Sequence, residues 1–287
     1  MNVLVLGAGG MLGATLVPTL VAHGHAVTRH GRTGAGMAAA DLAEAGDTLA
    51  LVAGSRPDVV VNLAGLTDVD YCEAHPQQAW VGNVRVVENA ASACMVANCH
   101  MVHISTDQVY NGAPPRAETQ ALPGNYYALS KYAGELAALA AGATVLRTNF
   151  FGASRNADRR SLTDWLYASL TDGRAIRVFD DVFFSPLSMD TLCTMIERVV
   201  RERPAGVYNL GSREGMSKAD FAFAFARGLG LPGQLMTRAS VQRAVLKAWR
   251  PTDMRMNCAK FETTLGVALP RLEDEIEFAT KDYRAHV

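Results

Sequence analysis

Several things are scarce in this chain, and each shortage removes a class of function. Its 287 residues contain five cysteines, at 72, 94, 99, 193 and 258, with no CxxC pair and no zinc-like spacing. An odd, scattered set reads as reduced thiols in a cytoplasmic protein, not as a disulfide frame, and no metal site is expected. No apolar run approaches the roughly 20 residues that a membrane helix requires. The apolar start, MNVLVLGAGG, has no basic leader and is cut by glycines after six residues, which marks a strand and not a secretion signal. Charge excess is missing too. The 27 Lys and Arg stand against 28 Asp and Glu, so no global field draws the chain to nucleic acid or to an anionic membrane. Finally, no Asp or Glu occurs between Gly7 and Asp41, a gap that bears on cofactor choice.

What is present is a rhythm. Met1 to Leu6 read as a buried strand, residues 11–23 as a helix that Pro18 should kink, and HAVTRHGR as a second strand. Then follow helix (LAEAGDTLALVAGSRP), strand (DVVVNLAG), long helix (PQQAWVGNVRVVENAASACMVANC), strand (HMVHIST), helix (YYALSKYAGELAALAAG) and strand (ATVLRTNFFG). This alternation predicts an α/β fold, a doubly wound parallel sheet of Rossmann type, over residues 1–150. After 150 the rhythm loosens. AIRVFDD and GVYNLG, near 175–211, are expected to rejoin the sheet. The rest of 151–287 is expected to form a smaller C-terminal substrate-binding lobe over the sheet's carboxyl edge.

LVLGAGGMLG places Gly7, Gly10 and Gly13 at the first strand-to-helix junction. Glycines there permit a tight turn and close approach of the backbone to a pyrophosphate. The helix start at Met11 and Leu12 offers unpaired N–H groups to the phosphates. A dinucleotide cofactor is the expectation. Where an NAD site usually carries a carboxylate, the second strand ends in Arg29, His30 and Arg32. Arginine suits a 2′-phosphate, so NADPH is expected in preference to NADH. Asp41 and Leu42 are candidates to clasp the adenine edge, with a helix cap as the alternative for Asp41. VNLAG ends in Ala64 and Gly65, small enough to let the nicotinamide ribose approach the backbone.

In NYYALSKYAGE, Tyr127 and Lys131 stand four apart, on one helix face. Ketone reduction needs a hydride at carbon and a proton at oxygen. A tyrosine gives up its proton reluctantly, and a neighbouring ammonium stabilises the phenolate that results. Lys131 can also bond the nicotinamide ribose hydroxyls. Tyr126 and Tyr132 have no lysine four residues on and read as packing residues.

The ordered set of GxxGxxG, NLAG, ISTDQVYNG, Tyr127-xxx-Lys131 and RTNFFG resembles the extended short-chain dehydrogenase/reductases. VNLAGLTDVDYCE, HISTDQVYNG, NYYALSKYAGE and RPTDMRMNCAKF resemble, more narrowly, their dTDP-4-dehydrorhamnose reductase branch. The resemblance implies a catalytic set of Thr106, Tyr127 and Lys131, with Ser105 as the fallback for Thr106. It implies that Asn83 organises water near the cofactor, with a surface helix asparagine as the alternative. It implies substrate contacts from Thr67, Asp107, Phe150 and Arg250, with an apolar core role as the alternative for Phe150 and a structural salt bridge as the alternative for Arg250. The implied reaction is NADPH-dependent reduction of the 4-keto group of a nucleotide-linked 6-deoxyhexose. Related dehydratases carry Asp-Glu after the threonine. Here Asp107 is followed by Gln108, which cannot act as a base, so dehydration is disfavoured. A sugar-nucleotide epimerase of the same fold, or a non-catalytic NADP-binding regulatory subunit, are the alternatives. Some members of the branch join as dimers through magnesium and glutamates, one of them in the first helix. No carboxylate is present there, so that metal site is not expected, and whether the chain forms a homodimer is left open by the sequence.

Overall fold

In the structure, a computed structural model that describes residues 1–31, 36–111 and 115–284, strands and helices alternate from the first residues onward. The first half runs β1 (Asn2–Leu6), α1 (Met11–Ala22), β2 (Ala26–Arg29), α2 (Ala45–Ser55), β3 (Val59–Asn62), α3 (Val69–Ala74), α4 (Pro76–Trp80), α5 (Val86–Ala97), β4 (His100–Thr106), α6 (Tyr126–Ala140) and β5 (Thr144–Thr148). The second half runs β6 (Phe150–Phe151), α7 (Leu162–Thr171), β7 (Ile176–Phe179), β8 (Phe183–Phe184), β9 (Leu187–Ser188), α8 (Met189–Glu202), β10 (Gly206–Leu210), β11 (Met216–Ser217), α9 (Lys218–Leu229), β12 (Met236–Ala239), α10 (Ala259–Leu265) and α11 (Leu272–Arg284).

Six strands form one parallel sheet in the order β10-β5-β4-β3-β1-β2. Alternate residues serve its two faces. Val3, Val5, Val59 and Val61 pack with Leu12, Leu16 and Leu20 of α1, Ile196 and Val200 of α8, and Phe261 of α10. Leu4, Leu6 and Val60 pack on the opposite face with α2, α5 and α6. Both faces are covered, so the strands read as unbroken apolar runs. Each fully buried Leu or Val contributes about 1.5–3 kcal/mol by leaving water.

The chain reverses direction across the sheet between β1 and β3. Such a switch point opens a crevice at the carboxyl ends of the strands. A second apolar cluster, built around Phe151, Phe184, Phe221, Phe225 and Tyr283, forms the smaller lobe beside it.

Three expectations need correction. AIRVFDD does not rejoin the sheet: β7 pairs with β12 in a separate two-stranded ribbon, and only β10 returns to the edge of β5. Val178 of β7 is buried in the second lobe's core while Arg177 is exposed, as a one-sided ribbon requires. The division at 150 is also not where the cores divide, because α8 and α10 cover the face shared with α1. Lastly, the long helix after Pro76 is interrupted by a π-helical turn at Val81–Arg85, which the apolar pattern did not announce. Pro18, by contrast, lies within one continuous helix.

Candidate active site

Gly7 follows β1 with φ of 77°, a conformation that favours glycine. A Cβ there would meet the backbone N of Ala64 at 2.9 Å, so the glycine loop and the segment after β3 can touch only because this side chain is absent. At Gly13 a Cβ would lie 2.4 Å from the Ala8 carbonyl O, which brings α1 down onto the same turn. Gly10 is the N-cap of α1 and no side chain caps that end, so the N–H groups at Met11 and Leu12 face the crevice end of the helix. The Leu12 side chain itself belongs to the core, leaving only its backbone for a ligand.

The crevice has a volume of 780 Å³, and its walls include Gly7, Gly10, Asp41, Leu42, Ala64 and Gly65. This is the space and the backbone chemistry that a dinucleotide needs. His30 is buried in its wall. Its Nε2 donates to the Ala40 carbonyl at 3.1 Å, and its Nδ1 accepts from the Gly7 N–H at 3.4 Å. It therefore shapes the loop that holds Asp41. The Asp41 carboxylate accepts from the Ala43 N–H at 2.9 Å, within its own turn and not as a helix cap. Arg29 is exposed, and its Nη2 donates to the Gly36 carbonyl at 3.2 Å. Arg32 lies outside the described residues. Arg159, which the sequence reading missed, also lines the crevice. It comes from the loop after β6, and Asn156 of that loop donates to the Gly9 carbonyl at 2.7 Å. No motif marked either residue.

At the carboxyl end of β4 the catalytic candidates converge. Thr106, Asp107, Tyr127 and Lys131 are all buried. Asn125 caps α6, its side chain accepting from the Ala128 N–H at 2.8 Å, and this fixes Tyr127 in the first turn. Burial pushes the Tyr127 phenol up from its ordinary value, while a hydrogen bond with the Thr106 side chain pulls it the other way. The phenol is thus fully protonated at neutral pH. One turn on, Lys131 donates to the Ile104 carbonyl at 2.8 Å. Its ammonium would lie 3.7 Å from a Cβ at Gly65, so it reaches the wall of the crevice. Burial lowers its pKa to about 8, and the Glu135 charge opposes that fall.

Glu135, another turn along, was not foreseen. It accepts from Arg147 at 2.6 Å and from the Ser105 hydroxyl. Ser105 therefore points to the back of α6, and Thr106 is the hydroxyl that meets Tyr127. Tyr132 packs beside Arg147 as expected, whereas Tyr126 is exposed, so the packing reading does not hold for it.

Asn83 sits in the π-helical turn and is fully buried, which removes the surface reading. Its side chain accepts from the Leu66 N–H at 2.7 Å and donates to the Leu66 carbonyl and the Ser130 hydroxyl, each at 3.0 Å. These bonds occupy the amide. Its action on the crevice is to hold the Leu66 strap, not to present a free group.

On the substrate side, burial raises Asp107 to about 6, against an opposing hydrogen bond from Asn149 at 2.7 Å. Thr67 is exposed after β3, and Phe150 is half-buried, paired with Leu187 in a separate two-stranded ribbon and packed against the core. Arg250 donates to the Asp70 carboxylate at 2.9 Å and to the Ala248 carbonyl at 3.0 Å. The structural salt bridge is therefore the reading the geometry supports. It ties the C-terminal loop to α3.

The sequence resembles known proteins along nearly its whole length. Residues 1–285 match the family described as RmlD substrate binding domain. A dTDP-4-dehydrorhamnose reductase of Escherichia coli strain K12 is 30% identical over 94% of both chains. A probable low-salt glycan biosynthesis reductase of Haloferax volcanii is 26% identical over 99% of both. The crystal structure of a dTDP-4-dehydrorhamnose reductase from Bacillus anthracis, in complex with NADP, superposes with a TM-score of 0.90 at 22% identity, covering 98% of this chain and 99% of that one. With the switch-point crevice, the glycine loop and the Thr106–Tyr127–Lys131 set in place, the chain belongs to the RmlD substrate-binding-domain family of the extended short-chain dehydrogenase/reductases.

Proposed function

We propose that the protein reduces the 4-keto group of a nucleotide-linked 6-deoxyhexose with NADPH, as a dTDP-4-dehydrorhamnose reductase does. The observation that carries this reading is the buried Thr106–Tyr127–Lys131 set beside the Gly65 wall of the dinucleotide crevice. The nicotinamide cofactor supplies the hydride when bound. Gly7, Gly10 and the uncapped start of α1 would hold its pyrophosphate, and Asp41 and Leu42 its adenosine end. Arg29 and Arg159 are the cations assigned to a 2′-phosphate or pyrophosphate, and Arg159 lining the crevice supports this.

The protein's own residues manage the proton. Tyr127 holds it at neutral pH because burial opposes the phenolate. The Thr106 hydroxyl accepts from the Gln108 N–H at 3.2 Å and donates to the Asp107 carboxylate at 3.3 Å, a long bond that it can exchange for one to a substrate carbonyl oxygen. As the carbonyl gains negative charge, Tyr127 donates to it, and the nearby Lys131 ammonium stabilises the phenolate left behind. Asp107 and Asn149 form a hydrogen-bonded pair at the same edge, placed for sugar hydroxyls. The Arg250–Asp70 pair ties the loop before α10 to α3.

The test is an assay of NADPH oxidation with dTDP-4-keto-6-deoxyhexoses. Turnover is expected, and Tyr127→Phe should lower kcat by about 10²–10⁴ while leaving NADPH binding intact. Absence of turnover with every nucleotide ketosugar would remove the reading. NAD carried tightly through purification would favour the epimerase instead. Unchanged cellular function in Tyr127→Phe would favour a regulatory subunit.

A further inference from the structure

Arg250 was the cation expected to meet the phosphates of the substrate, and Asp70 already neutralises it. A substrate of the proposed class brings two negative charges to a site that also holds Asp107. Some other cation must meet them, because unpaired charges in a low-dielectric crevice are strongly unfavourable. Among the described residues one lysine stands at the right edge without a committed partner.

Lys218 is the first residue of α9. Its backbone is locked. The Lys218 N–H donates to the Val182 carbonyl at 2.8 Å, and Met216 pairs with Phe184 across β11 and β8. Ser217 caps the helix through the Asp220 N–H at 3.0 Å. A Cβ at Gly215 would lie 2.3 Å from the Phe184 carbonyl O, so only glycine lets the two segments approach this closely. The side chain is treated differently from this rigid base. Its ammonium lies 5.9 Å from the centre of the Phe184 ring and makes no hydrogen bond or ion pair among the described residues.

The groups that face it electrostatically are Asp107, from the end of β4, and Arg250, from the C-terminal loop. Lys218 is the second lobe's contribution to the edge where Thr106 and Tyr127 stand. A half-buried lysine that is held by its backbone and has no acceptor among the described residues suits an anion. Its place in α9 of the second lobe, facing Asp107 and Arg250, assigns it to the substrate and not to the cofactor.

We propose that Lys218 is the specificity residue for the anionic linker of the substrate: its ammonium binds the phosphoryl group next to the sugar and screens that group from the Asp107 carboxylate. This deepens the reductase reading and rests on it for the identity of the sugar, but not for the phosphate chemistry.

The experiment compares the full-length protein with Lys218→Met and Lys218→Arg. In steady state with a dTDP-linked ketosugar, Lys218→Met should raise KM by about 10–100-fold and change kcat less than about threefold, as loss of one charge-assisted bond implies. Lys218→Arg should recover most of the loss. Thymidine diphosphate, titrated calorimetrically without ketosugar, should weaken by a similar factor, while NADPH affinity and Tm stay put. Unchanged thymidine diphosphate binding in Lys218→Met overturns the proposal, as does a fall in kcat at constant KM, which would place Lys218 on Asp107 alone. If the unaltered protein reduces no nucleotide ketosugar yet binds thymidine diphosphate in a Lys218-dependent way, the anion site stands and the reductase reading fails. If it reduces the ketosugar with binding indifferent to Lys218, the reverse holds.

Discussion

Tyr127, Lys131 and Glu135 occupy successive turns of one helix, and their charges are linked as well as their positions. Lys131 is held near 8 by burial against the Glu135 charge, with neutral His103 on the facing strand. Raising the pH past about 8 should therefore strip the proton from Lys131 and leave Tyr127 a poorer acid. The profile of kcat/KM against pH should fall on its alkaline side near that value. Glu135→Gln removes the opposing charge and leaves Arg147 behind, so the alkaline limb should move to lower pH. A double change, Glu135→Gln with Arg147→Met, guards against simple unfolding by removing both members of the buried pair at 2.6 Å.

Asp107 gives a second residue-level expectation. Its folded pKa is about 6 against an ordinary 3.8. The folded state then binds the extra proton between those values, and stability falls as pH rises through the interval. At about 1.4 kcal/mol per pKa unit the strain above pH 6 amounts to about 3 kcal/mol. Asp107→Asn should raise Tm at pH 7.5, with little change at pH 4, and should impair turnover. An equal shift at both pH values would show that burial of this charge is not the cause.

At the scale of elements, the π-helical turn before α5 is what delivers Asn83 to the Leu66 strap. α6 packs against that turn at Gly134, where a Cβ would lie 2.2 Å from the Asn83 carbonyl O. Gly134→Ala should force the two elements apart. A loss of about 1–3 kcal/mol is expected, read by denaturant unfolding, with weaker NADPH binding as the Leu66 strap loosens. A variant as stable as the parent would mean that the contact yields freely. The strands and helices that build this region were legible in the alternation of apolar runs. The turn was not, since one extra residue in a helical ladder leaves an apolar face nearly unchanged.

At the scale of the whole molecule, the two lobes meet around the site through a few polar links. Asp70 is held below its usual value by the Ala248 N–H, with Arg250 adding to this against burial. The pair joins α3 to the loop before α10 across 180 residues of chain. It is partly exposed, so its worth is modest: a double-mutant cycle of Asp70→Asn and Arg250→Gln should return a coupling of about 0.2–1 kcal/mol. Its larger effect should fall on KM for the nucleotide sugar, because it ties that loop to α3. If both single variants keep the parental KM, the pair does not shape the pocket.

The sequence by itself determined what is local. Gly7, Gly10 and Gly13 announced a turn with no room for side chains, Tyr127 and Lys131 announced a shared helix face, and the apolar runs announced a sheet buried on both sides. Each of these depends on spacing within a few residues, where backbone geometry fixes the outcome. Only the tertiary structure decided which cations were free. Arg250 and Lys218 are both cations in the sequence, yet one has Asp70 beside it and the other has no hydrogen-bond acceptor among the described residues. Whether a charge is spent or available depends on partners more than a hundred residues away, and no local pattern carries that.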